Sequence, residues 1–111
     1  MTLTPGQHVW YVPIRGNARA LTVEKVGRKW VTFTEADQKR VAIGSVEVEV
    51  QGFGRVGILY PSREVWVEKG RIDAAWFDVQ GDLYRKTSRP AGVTIEDINA
   101  ARRLLGLEVV P

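Results

Sequence analysis

Over the first fifty residues the apolar positions recur at every second place in short runs, and each run stops at a glycine or a polar cluster. That period marks strands with one buried face. His8 to Arg15 (HVWYVPIR) reads as a first strand, rich in β-branched and aromatic residues, and Gly16-Asn17 follows as a turn. Arg19 to Val26 (RALTVEKV) is a second, closed by Gly27-Arg28. Lys29 to Thr34 (KWVTFT) is a third, with Val31 and Phe33 on the core face and Trp30 and Thr32 on the other. The polar run EADQK then reads as a turn, and Arg40 to Ile43 as a fourth strand. Ser45 to Val50 alternates cleanly, placing Val46, Val48 and Val50 opposite Glu47 and Glu49. Ile58 to Tyr60 is extended in character, since Pro61 biases Tyr60 away from helical dihedrals. Short strands with tight turns over residues 1–60 predict a small, SH3-like antiparallel barrel of five or six strands.

After residue 61 the period changes. Ser62 is placed to cap a helix, with Glu64 in its first turn where the helix dipole favours an acid. Ile72, Trp76, Val79 and Leu83 recur at spacings of 4, 3 and 4, an amphipathic stripe that predicts Trp76 to be buried against the barrel. The helix expected over residues 62–87 contains Gly70 and Gly81, each a site for a break, and Asp82 stands four residues before Lys86 as a supporting pair. SRPAGV is a loop. Thr94-Ile95-Glu96-Asp97 resembles a capping box, and a second helix through Ile98, Ala101 and Leu105 ends at Gly106. The fold class is therefore α+β: one domain of 111 residues, a barrel part (1–60) and a helical part (61–111) packed on it.

Charge sharpens this picture. The net charge is +3, and in residues 1–60 eight Lys/Arg stand against five acids, whereas the remainder is balanced. The positive excess lies in the barrel part, where an exposed basic patch attracts polyanions. The chain has no cysteine, which excludes disulfides, thiol catalysis and zinc–thiolate sites. No run approaches membrane-spanning length, and the start MTLTPGQHVWYV lacks a basic segment before an apolar one, so a cytoplasmic protein with no membrane partner is expected.

Candidate chemistry is sparse. Gly52 to Gly57 (GFGRVG) fits G-x-G-x-x-G, but a dinucleotide fingerprint needs a helix opening inside it, and Ile58-Leu59-Tyr60-Pro61 cannot supply one. The expected role of these glycines is a corner or bulge with positive φ. His8 is the only histidine and has no second imidazole or thiolate to share a metal. Glu47 and Glu49 share a strand face without a third ligand for a hard cation. Asp78 and Asp82 read as solvent-facing, and Ser62 as a cap rather than a nucleophile. No grouping of nucleophile, base and oxyanion donors emerges, so neither an enzyme, a cofactor nor a small-molecule substrate is expected. The hairpin VEKVGRKWVTF is the sharper feature, because Arg28 and Lys29 beside Trp30 offer phosphate contacts and a stacking face. With Arg15, Arg19, Lys39, Arg40 and Arg55 they form the candidate binding set.

The order GQHVWYVP, VEKVGRKW, LYPSRE and a Thr-Ile-Glu-Asp-Ile helix ending in LLGL resembles a group of small phage and prophage β-barrel domain proteins. The resemblance spans most of the chain, with V-x-K-V-G-R-K-W its most specific piece. It implies a phage accessory protein acting inside a bacterial cell and carries over no catalytic residue. Two partners fit: nucleic acid, bound by the basic hairpins, or a host protein such as a component of a CRISPR or restriction defence system.

Overall fold

A computed structural model describes residues 1–86 and 88–111. Six strands follow one another: β1 (His8–Pro13), β2 (Arg19–Val26), β3 (Trp30–Phe33), β4 (Ala36–Ala42), β5 (Glu47–Val50) and β6 (Gly54–Tyr60). Each pairs antiparallel with the next, and β6 returns to β1 through Trp10↔Tyr60 and Pro13↔Gly57, closing the barrel. Closure leaves no free sheet edge. The chain forms two compact units, Met1–Ala74 and Ala75–Pro111.

Alternation decides what fills the barrel. Val9 and Tyr11, Leu21 and Val23, Val31 and Phe33, Val41, Val48 and Leu59 are all buried. The face assigned to Val31 and Phe33 is the inner one, as their spacing requires, and Trp30 is only half-buried. Among the three valines of Ser45–Val50 only Val48 is fully enclosed, and Val46 is exposed.

Two local expectations change. The run EADQK is not a turn: the chain reverses at Thr34-Glu35, and β4 begins at Ala36, which is buried. The pairing jumps from Thr32↔Arg40 to Phe33↔Ala36, so the polar residues between are bulged out of the ladder. Polarity hid a strand here because its outward residues face water.

The glycines of GFGRVG serve two ends. Gly52 and Gly54 have positive φ (86° and 77°) and turn the chain from β5 into β6. Gly57 has ordinary dihedrals, but a Cβ there would lie 2.4 Å from Tyr11 Cε1 and 2.6 Å from the Val12 carbonyl oxygen. It is a packing glycine, and it lets β6 approach the ring of Tyr11.

Helix α1 (Arg63–Arg85) runs unbroken through Gly70 and Gly81, and α2 spans Ile95–Leu104. Residue 87, the last of the expected first-helix span, lies outside the described residues. The Ser62 hydroxyl accepts a hydrogen bond from the Val65 amide at 3.2 Å, as a cap should. Thr94 and Asp97 complete a reciprocal capping box, at 3.2 and 3.0 Å. Asp82 pairs with Arg85 at 2.7 Å rather than with Lys86. Near the start of α1, Trp66 meets Trp10 of β1 with ring centroids 5.9 Å apart. The stripe of Ile72, Trp76, Val79 and Leu83 forms, yet Trp76 is 46% exposed and α1 buries none of its residues. Spacing shows which helical face is apolar but not what covers it.

Candidate functional site

A groove of about 660 Å³ lies at one end of the barrel. It forms where the β1–β2 loop, the bulged part of β4 and the start of β6 converge, and Arg15, Arg19, Lys39 and Arg55 line it. No acidic side chain is among its lining residues. Among the described residues no carboxylate pairs with Arg15, Arg19 or Lys39, and Arg55 only approaches Glu47, at 3.7 Å with both side chains exposed. Such an exposed pair is weak and leaves the guanidinium available. Four cations drawn from well-separated strands and loops thus share one concave surface.

Its floor is apolar. Tyr11, Pro13, Ile14, Val50 and Val56 line the groove together with the cations. Tyr11 is anchored by its hydroxyl, which donates to the Val56 carbonyl oxygen at 3.2 Å, and the Arg19 guanidinium stands 5.9 Å from its ring centroid. Burial pushes the Tyr11 phenol above its ordinary value and Arg19 opposes that shift, so the hydroxyl is a neutral donor at physiological pH. The floor escaped sequence reasoning. Its one local signal was Ile14, an apolar residue flanked by Pro13 and Arg15, which is 61% exposed.

The other predicted residues do not join this groove. Arg28 and Lys29 are exposed in the β2–β3 turn, at the far end of β2 from Arg19. The eight residues of β2, roughly 23 Å of extended strand, run from Arg19 to that turn. Trp30 is not a free stacking face. The Arg40 guanidinium lies 3.7 Å from its ring centroid and Lys29 Nζ lies 5.4 Å away. Arg40 is itself held by Glu49, whose Oε1 accepts from Nε at 3.1 Å and from the terminal nitrogen at 2.9 Å. The register explains this ladder: Thr32↔Arg40 and Arg40↔Glu49 set the side chains of β3, β4 and β5 abreast on the outer face.

The remaining polar candidates have structural partners. His8 Nδ1 lies 3.3 Å from the Thr22 hydroxyl. Glu35, in the β3–β4 turn, accepts from both the Thr22 amide and hydroxyl at 2.7 Å. Those two bonds hold its carboxyl below the ordinary value. Glu47 and Glu49 face Arg55 and Arg40. Among the described residues no group of three or more His, Asp or Glu is placed to hold a metal ion, and no helix is long and apolar enough to cross a membrane.

No curated protein and no solved structure matches the chain. The likeness to small phage proteins has a firmer counterpart: from residue 1 to residue 108 the chain matches the Phage ProQ C-terminal-like domain, and the protein belongs to that family.

Proposed function

We propose that the barrel is a non-enzymatic module that binds nucleic acid in the groove of Arg15, Arg19, Lys39 and Arg55. The observation that carries this reading is the convergence of four cations on one groove with no acid among its lining residues. Guanidinium and ammonium groups so arranged suit successive phosphates of a polynucleotide, which fix register without reading sequence. Membership of a ProQ-like phage family agrees with such a ligand. Titration of a fluorescent oligonucleotide at several salt concentrations tests it. Affinity should fall steeply with salt, because each neutralised phosphate releases condensed counterions. Salt-insensitive binding, or none at low salt, removes the proposal.

A host-protein partner is the second reading, favoured by the exposed apolar residues of α1. Capture from bacterial lysate with and without nuclease separates the two, since only a direct protein partner survives the nuclease.

A further inference from the structure

We infer that the groove takes single-stranded rather than duplex nucleic acid, and that Phe53 is its base-stacking residue. This rests on the reading of the groove as a nucleic-acid site. A duplex presents phosphates outward and keeps its bases stacked within, so a duplex-backbone reader needs cations on an open surface and gains nothing from an apolar floor. This groove has apolar lining of that kind, with Pro13, Ile14, Val50 and Val56 lining it alongside the four cations. Its volume of about 660 Å³ is in the range of cavities that enclose small organic groups such as a splayed base. A single strand offers unstacked bases together with its phosphates.

Phe53 supplies the aromatic partner. It is 83% exposed at the β5–β6 turn. A lone exposed phenylalanine is ordinary, so exposure by itself decides nothing. The setting decides. Gly52 and Gly54, both with positive φ, hold the turn, and the Phe53 amide donates to the Val50 carbonyl oxygen at 2.9 Å. Val50 and Arg55, on either side of that turn, both line the groove. Phe53 is not itself among the groove's lining residues, but the turn that carries it joins two residues that are. Trp30, the other candidate, already carries Arg40 at 3.7 Å from its ring centroid.

The test is fluorescence anisotropy at low salt on the full chain, with one RNA 12-mer, its DNA equivalent and the duplex of each. Both single strands should bind about tenfold or more tighter than either duplex, and a difference between the RNA and DNA strands would report the 2′-hydroxyl. Phe53→Ala should weaken single-strand binding about five- to hundredfold, the range for loss of one base–aromatic stack, without changing duplex binding or the salt slope. Phe53→Tyr should restore affinity, and Phe53→Leu, apolar without a π-face, should not. Equal affinity for single strands and duplexes, or a Phe53→Ala protein that binds single strands as tightly as the parent, overturns this inference while leaving the groove reading intact. Absence of binding to every polynucleotide overturns both.

Discussion

The two ends of the barrel carry similar side chains in different company. At one end Arg15, Arg19, Lys39 and Arg55 surround a concave apolar floor, and three of the four have no carboxylate partner among the described residues. At the other, Arg28 and Lys29 project from a turn, and the adjoining Trp30 is covered by an arginine that Glu49 already holds. In sequence the second set looks the stronger site, because two cations and an indole are contiguous. Contiguity is the misleading cue. Neighbours in a strand point to opposite faces, and neighbours in a turn point apart, so a compact cluster in sequence rarely makes a concave one in space. A site able to grip a chain of phosphates comes from several strand ends meeting at one rim.

That contrast can be broken most severely through two glycines. Gly57→Ala would drive a methyl group into the ring of Tyr11 and the backbone of β1, and both lie in the groove end. The expected loss is about 3 kcal/mol or more of stability, the upper range for overpacking, read from urea unfolding. Gly27→Ala at the other end meets only the Trp30 carbonyl oxygen at 3.2 Å with ordinary dihedrals, so it should cost far less. Equal costs would show that β1 and β6 are not apposed as described.

Next comes the charge comparison. Arg15→Ala with Arg19→Ala should weaken nucleic-acid binding about tenfold or more in moderate salt. On a single strand the salt slope should also flatten by about 0.7 for each phosphate no longer neutralised. Arg28→Ala with Lys29→Ala should change both much less. If the turn pair matters as much as the groove pair, the ligand spans both ends and the groove alone is not the site.

Trp30→Ala sharpens the same contrast from the side of stability. Its indole is half-buried and bears the Arg40 cation, so its removal should cost about 1 kcal/mol, well short of the ~3–5 kcal/mol of a fully enclosed tryptophan. Binding should be nearly unchanged. A large binding defect with an intact melting temperature would reinstate Trp30 as a ligand contact.

The smallest effect concerns Glu35. Its carboxyl is held below the ordinary 4.5 by two donors from Thr22, so its ionised form favours the folded state. That contribution is present at pH values above the unfolded value and is lost as pH falls through the lower folded one. The stability difference between the parent and Glu35→Gln should therefore be modest at pH 7 and vanish in acid, as followed by thermal unfolding across pH. Groove affinity should not rise in Glu35→Gln. If it does, Glu35 neutralises the groove cations rather than bonding to Thr22.

Strand alternation and helix period by themselves determined much of this protein. Val31 and Phe33 face inward, Ser62 and Thr94 cap helices, and Gly52 and Gly54 turn the chain into β6, because each depends on a few neighbouring residues and their dihedral preferences. The β4 start at Ala36 was lost for a related reason: a bulge breaks the period on which the reading depends. Tertiary structure alone decided which cations share a surface. Arg15, Lys39 and Arg55 lie on different strands or loops, and only the closure of β6 onto β1 and the pairing of β4 with β5 bring them to one rim. It also decided that Arg40 lies over Trp30 and that Gly57 must be glycine, since both follow from register across strands rather than order along the chain. Local chemistry sets which face of an element is apolar. Where two elements meet is set by the packing of the whole barrel, and the groove exists only at such a meeting.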